Sequence, residues 1–568
     1  MDDKDLERGR GVPTSDRSQE DEKTSVDDTE TVDFEPIRTG TRPGSVTTRN
    51  SRRSSRALSR TRSNNGYGVD EFEEGEVEME DEAQQRQDPL EQADKEKDPY
   101  EVGWDGGVDN DPLSPRTMST WRKWSIVVIT SMGSFCVTMA SSIYTSTYTQ
   151  MDAEFHTSRL VATIGLSTFV LGIALGPFWS PLAEFYGRRP IYVAAFAAFL
   201  IWIIPSAVAK NIATMIVARF FQGLAGSAFL SVSGGTVGDL FVRAEMQAPM
   251  AVFTLAPFAG PSVGPLVGGF INSNVHWRWT HYVLLIAAGA LLAAIVLFVP
   301  ETFHPAVLKK KAIKKRKETG DDRWKAPIEK TKKSIRHTVG LALLRPFQLL
   351  IFEPMCLILN IYSAILLGIL YLFFGAFPLV FGNNHGFNLW QVGLSFLGLF
   401  VAIVLAASTS PIWTRMKEKA MEKREEQTGI AKGEPEDQLP PLIVGAPLIT
   451  IGLFWFGFTT YPWVHWILPI IGSAIFGFGT MLAFTGVFTF LVDAYPLYAA
   501  SALASNALIR CTFAAAFPLF GVQMYEKLGY QWATALLAFL TLAMLPFPYL
   551  FFMYGKRIRG QSKFATSS

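Results

Sequence analysis

The sequence predicts an all-α polytopic membrane protein: twelve transmembrane helices in two six-helix halves, behind a disordered N-terminal tail. Three observations carry this. From Ser125 onward, apolar stretches recur at lengths of about 20 residues, enough to cross a hydrocarbon core of roughly 30 Å at a rise of about 1.5 Å per residue. A long polar segment, 301–347, divides twelve such stretches six and six. Lys and Arg collect on most of the even-numbered connections, which predicts that both termini and the central loop share the cytoplasmic side.

Residues 1–120 are rich in Asp, Glu, Arg, Ser and Thr and poor in aliphatics, a composition that cannot bury a core. No apolar run opens the sequence, so no cleavable signal peptide is expected. A basic block, Arg49 to Arg62, and an acidic block, Asp70 to Glu82, are read as solvated tail, the first with the chemistry to meet anionic lipid or to be phosphorylated. Trp104, Trp121 and Trp124 lead into the membrane as interface aromatics. The spans are predicted at 125–147, 160–181, 191–208, 212–234, 249–271, 281–299, 354–381, 391–412, 441–459, 466–490, 499–521 and 532–554. They lack the alternation of barrel strands. The parts are a tail (1–120), an N-terminal bundle (121–300), a central loop (301–347), a C-terminal bundle (348–556) and a short tail (557–568). Cys136, Cys356 and Cys511 lie far apart in apolar runs and imply neither disulfides nor a metal site. The net charge of +1 points to no nucleic-acid partner.

Three motifs carry chemistry. GIALGPFWSPLAEFYGRRPIY (172–192) joins two spans through Glu184, Gly187, Arg188 and Arg189, a carboxylate and two bases able to pair in one conformation and release in another. Topology alone would explain the arginines, but not the acid and the glycine. Arg219 and Gln222, in RFFQG, lie inside the fourth span, where a guanidinium needs a cavity or a partner. In the fifth span, AGPSVGPLVGG repeats Gly260, Gly264 and Gly268 on one face, beside Pro265 and Gly269. This is a close-packing pattern, bent by prolines.

In this order the three motifs resemble those of the major facilitator superfamily, in its fungal drug:proton antiporter branch of multidrug and polyamine transporters. The loop motif covers Ser180 to Arg189, the arginine motif Arg219, Gln222 and Gly223, and the antiporter motif Gly260, Gly264, Pro265, Gly268 and Gly269. WRWTHY (277–282), VPETFHP (299–305), YLFFGAFPLVF (371–381), LVDAY (491–495) and AAAFPLF (514–520) look like the fungal members specifically. The resemblance implies a secondary active transporter, not an enzyme. It implies proton-coupled efflux of small amphipathic molecules across a fungal plasma membrane, with Arg219 and Gln222 in proton coupling and no cofactor. Expected partners are the substrate, protons and the lipid bilayer, and the expected state is a monomer. Polyamine export, export of a secondary metabolite or organic acid, and a transporter-like nutrient sensor are the alternatives. Ser180, Glu184 and Phe185 depart from the broad loop motif in ways that fungal members tolerate. Gly375 stands where many fungal relatives carry Glu, which counts against a cationic substrate. Gln438 replaces a common Arg and is expected to loosen the counterpart of the loop motif in the second half.

Other polar residues inside the spans are candidates for a substrate cavity: Tyr144, Asn360, Tyr371, Asn506 and Arg510, with helix packing as the competing reading. Arg510 should face the interior and suits an anionic substrate or a carboxylate partner. His281 and His465 are expected at the outer interface, and Asp239 and Glu245 near the gate.

Overall fold

A computed structural model describes residues 100–242, 245–330, 335–428 and 433–560, together with 562, 564 and 565. The two charge blocks of the tail and Arg243 lie outside the described residues. The membrane-spanning helices are α1 (Thr120–Phe155), α2 (Arg159–Tyr186), α3 (Arg188–Ala207), α4 (Ile212–Leu240), α5 (Gln247–Asn274), α6 (Arg278–Phe298), α7 (Pro354–Asn384), α8 (Leu389–Gln427), α9 (Pro440–Phe458), α10 (Ile467–Ala494), α11 (Ala499–Leu528) and α12 (Tyr530–Arg559). Each predicted span coincides with one of them, overrunning by no more than a residue. No β-strand occurs among the described residues. The chain is thus a multi-pass membrane protein of twelve spans.

The helices form because apolar runs in lipid must satisfy every backbone group within the segment. Polar residues mark their ends. Asn211 caps α4 by accepting from Thr214 N (2.8 Å), and Gly187 takes φ 97° to break α2 from α3. In the first half α1 packs on α5, α2 on α4, and α3 on α4 and α6. In the second, α7 packs on α11, and α9 on α10 and α12. Lipid-like rows face outward, for example Leu297 and Phe298 on α6 and Phe539 and Met553 on α12.

The glycine face of α5 lies directly on α1. A Cβ at Gly260, Gly264 or Gly268 would collide with the hydroxyls of Thr138, Ser142 or Ser146 and with the α1 backbone; at Gly264 it would stand 2.7 Å from Ile143 N. The helix runs unbroken through Pro257, Pro261 and Pro265.

The halves meet where α2 packs on α11 and α5 on α8. At the end away from the central loop the second contact is backbone on backbone. A Cβ on Gly269 would come within 2.9 Å of Leu389 O and 3.2 Å of Trp390 Cα, and one on Gly393 within 3.1 Å of Leu266 Cα.

The expected core-less tail is revised over residues 100–118. Residues 100–118 dock on the central loop through a small apolar cluster of Val102, Leu308, Ala312 and Ala326. Val102 N donates to Lys325 O (3.0 Å). Lys311 Nζ, on the loop helix His304–Thr319, holds Asp111 (2.6 Å), Asp105 (2.8 Å) and Gly103 O (3.1 Å). The polar composition hid this, because the partner surface lies some two hundred positions away.

Burial works to raise the Asp111 carboxyl, but the Lys311 ammonium and the N–H groups of Asp105 and Leu113 outweigh it and hold the group below its ordinary range. Burial likewise opposes the Lys311 charge, and its bonds to Asp105 and Asp111 raise it above its ordinary value. A lowered carboxyl contributes stability above its unfolded value and loses it as pH falls through the folded one. A raised ammonium contributes below its unfolded value and loses it as pH rises through the folded one. Protease cleavage within 100–118 should therefore be slow near neutrality and accelerate in acid, and Lys311→Met should abolish the protection at neutral pH. For the α1–α5 seam, Gly264→Leu should destabilise the solubilised protein by about 1–3 kcal/mol or more. Gly289→Ala on α6, with nothing within 4 Å, should leave the melting temperature unchanged.

Candidate functional site

The basic turn after α2 is held by two acids, Asp239 at the end of α4 and Glu301 at the start of the central loop. Gly187 leaves room for the Glu301 carboxylate, whose Cδ would sit 2.7 Å from any Cβ there. Glu301 then accepts from the first N–H groups of α3, Arg188 N (2.8 Å) and Arg189 N (3.3 Å), as well as Thr302 N and Phe303 N. A carboxylate at a helix N-terminus satisfies orphan donors and meets the positive end of the helix dipole. The Arg188 side chain is buried, pairs with Asp239 Oδ2 at 3.2 Å and lies over the Phe303 ring at 4.9 Å. Arg189 turns outward and donates to Val296 O (2.9 Å). Glu184 is half-buried beside this cluster and adds to the field on Arg188. His304 Nε2 donates to Asp239 O (2.9 Å), and its ring meets the edge of Trp104 at 5.6 Å. The cluster therefore joins α2, α3, α4, α6, the loop helix and the docked N-terminal segment. Sequence reasoning placed Asp239 nearby but missed Glu301; the available signal was an acid leaving a span on the same face as the arginine pair.

The counterpart in the second half stays tied. Gln438 Nε2 donates to Asp493 Oδ2 at 2.5 Å, and Lys417 reaches the same oxygen at 3.4 Å. The expected loosening is thus not seen, because the amide supplies the donor that an arginine would. Arg424 holds Asp437 (2.8 Å), and buried Arg559 holds Glu436 (2.7 Å).

Deep in the first half, Arg219 is fully buried. Its guanidinium donates to three carbonyls, Ala140 (2.7 Å), Ser141 (3.0 Å) and Gly165 (3.4 Å), and to Gln222 Oε1 (3.5 Å). It lies between the rings of Tyr144 (4.5 Å) and Phe169 (4.2 Å). The α1 carbonyls are available because α1 tightens to a 3-10 turn at Tyr144–Thr147. Gln222 also donates to Trp202 O (2.7 Å) and Ser206 Oγ (2.6 Å) on α3. Tyr144 spends its hydroxyl on Ala162 O (3.0 Å). The same Ser141 that accepts from Arg219 through its carbonyl shares a hydrogen bond with Tyr371 Oη (3.0 Å) on α7. Arg219 is thus one residue removed from the second half.

Asn360 and Asn506 form a separate network with Ser363 and Ser505. Asn506 Nδ2 meets Asn360 Oδ1 (3.0 Å) and Ser363 Oγ (2.6 Å), and Asn360 Nδ2 meets Ser505 Oγ (2.9 Å). All four are buried and bind α7 to α11. Arg510 faces inward, over Phe488 at 4.9 Å, Phe484 at 5.5 Å and Phe258 at 5.9 Å. The site residues therefore fall into a loop-end cluster, the Arg219 chamber, the asparagine network and the Arg510 aromatic bowl, with the α5 glycines supporting the second. His281 departs from expectation: it is buried, edge-on to Trp277 at 5.8 Å. It lies one helical turn after Trp277, which is itself buried, and so shares its inward face. His465 is exposed.

Residues 130–518 match the Major Facilitator Superfamily. The chain is 54% identical over 458 residues to "Efflux pump atB" of Aspergillus terreus, covering 80% of this chain and 88% of that one. It is 41% identical over 472 residues to "Probable drug/proton antiporter YHK8" of Saccharomyces cerevisiae, covering 83% and 91%. Among solved structures, the xylose transporter XylE from E. coli in a partially occluded inward open conformation aligns with a TM-score of 0.54 at 16% identity, over 76% of this chain and 99% of that one. The human organic anion transporter MFSD10 aligns with the same score at 15% identity, over 75% and 99%. The chain belongs to the major facilitator superfamily, in the branch that these fungal sequences define.

Proposed function

We propose that this protein is a secondary active exporter that drives small amphipathic molecules, drugs and xenobiotics among them, out across the fungal plasma membrane in exchange for protons. It works as a monomer in the bilayer, with both termini and the central loop in the cytoplasm. The names of its fungal relatives, efflux pump and drug/proton antiporter, support the reading, as does the basic character of the loop end. The observation that carries it is the line from Arg219 through Ser141 to Tyr371, which ties a buried cation in one half to a hydrogen bond between the halves.

In this reading the bundles 121–300 and 348–556 rock about the central pathway. Proton binding changes the field around Arg219, and a shift of its guanidinium moves the α1 backbone that carries Ser141. The Ser141–Tyr371 bond then makes or breaks with the movement of the halves. At the cytoplasmic end, the Arg188–Asp239–Glu301 cluster keeps α2, α3, α4 and α6 moving as one body. The glycine contact of α5 with α8 closes the outer side.

Purified protein in proteoliposomes, given an imposed pH gradient and a panel of neutral, anionic and cationic drugs, tests this. Gradient-driven flux of at least one compound is expected; movement of none, or movement indifferent to the gradient, rejects the reading. Arg219→Ala should insert and fold but lose gradient-driven flux, and Arg219→Lys should retain a part. Undiminished flux in Arg219→Ala would remove the coupling role. Glu301→Gln should weaken transport by a factor within the roughly 5–150-fold range typical of a lost coupling energy, with substrate binding unchanged.

A further inference from the structure

Among the described residues, two cations stand near the middle of a span, Arg219 on α4 and Arg510 on α11. The acids of the spans stand elsewhere. Asp152, Glu154, Glu184, Asp239, Asp493 and Glu526 lie within three residues of a helix end, and those of α8 lie in its polar extension. The two arginines are used differently. Arg219 gives its N–H groups to carbonyls and to Gln222. Arg510 Nε and Nη1 are shielded from solvent and have no hydrogen-bond acceptor. A desolvated guanidinium donor without an acceptor is costly to keep, more so than a neutral one.

The place of Arg510 gives that cost a use. Phe258 belongs to α5 in the first half, and Phe484 and Phe488 to α10 in the second. Phe258 stacks on Phe484 with centroids 4.7 Å apart and planes at 22°, and on Phe488 at 6.4 Å. Arg510 lies against all three rings, at the junction that the halves must open and close.

We propose that Arg510 with Phe258, Phe484 and Phe488 forms a subsite for an aromatic organic anion, a carboxylate in particular, carried as the transported substrate. This deepens the export reading above and rests on it. The carboxylate accepts a charge-assisted hydrogen bond from Nε–H or Nη1–H of Arg510, the groups that lack an acceptor. The substrate ring slides between Phe258 and the α10 pair, replacing the stack the halves make with each other. A mid-membrane field that is positive with no acid beside it favours anions and disfavours polyamines.

The test compares 1-naphthoate with 1-naphthamide, which has the same ring and no charge, by calorimetric titration of the full-length protein in lipid nanodiscs, with spermidine as a third ligand. Wild type should bind naphthoate saturably and about tenfold or more tightly than the amide, and should not bind spermidine. Arg510→Gln should bind naphthoate and naphthamide alike, and Arg510→Lys should show a reduced preference. Equal affinity in wild type, absence of naphthoate binding, a preference for spermidine, or an undiminished preference in either variant overturns the proposal. The Lys variant and the wild-type comparison decide if the Gln variant does not insert. Gradient-driven flux of neutral drugs in the proteoliposome panel separates the outcomes: flux without an anion preference sinks the subsite alone, and absence of any flux sinks the export reading.

Discussion

A guanidinium kept from water inside the first half must find its acceptors in the protein, and much of the architecture around it meets that need. Arg219 takes backbone oxygens from α1 and α2, where α1 tightens to a 3-10 turn at Tyr144–Thr147 and α2 runs close. Close approach in turn demands glycines. A Cβ on Gly223 would reach within 2.9 Å of the Phe169 carbonyl carbon, and one on Gly172 within 2.7 Å of Leu224 N. With α2 and α4 in contact, Phe169 covers one side of the guanidinium and Tyr144 the other. Small residues, a helix break and a buried charge are thus a single arrangement.

The same logic orders the loop end, where charges are buried only with partners. Arg188 meets Asp239, Arg559 meets Glu436, and Glu301 meets the amide groups of α3. Breaking one partner of such a pair strands the other, which is why these clusters make each half rigid. The docked segment 100–118 extends this rigidity outward, since Trp104 touches His304 and His304 touches Asp239. The N-terminal polypeptide is mechanically continuous with the cluster that fixes α2 to α4.

Much of this was legible in the sequence. Twelve apolar runs specify twelve helices because lipid admits few other solutions, and a glycine every fourth residue specifies a packed face whatever the partner. Partners were harder to see. Nothing local to Arg188 points to Glu301, 113 positions on, and nothing in residues 100–118 points to Lys311. The identity of the acceptors of Arg219 was hidden for another reason: they are main-chain oxygens, which no residue type announces. His281 was misplaced because distance from the helix end was weighed and helix face was not. Arg510 and Arg219 read alike as letters and differ only in what surrounds their nitrogens.

The outer contact of α5 with α8 has no side chains at its centre, only Gly269 against Leu389 and Gly393 against Leu266 and Pro265. A plug made of a large residue can swing aside or be pared down to widen a passage by degrees. Two facing backbones have no such intermediate positions: they touch or they part along their whole length. Drift in sequence at this end therefore has almost nowhere to go, since any added carbon props the door ajar. Under the proposed subsite, adaptation to new compounds falls instead to the bowl around Arg510 and the walls beside it, where side chains are large enough to be exchanged. One end of the pathway is fixed hardware and the middle is the part free to evolve.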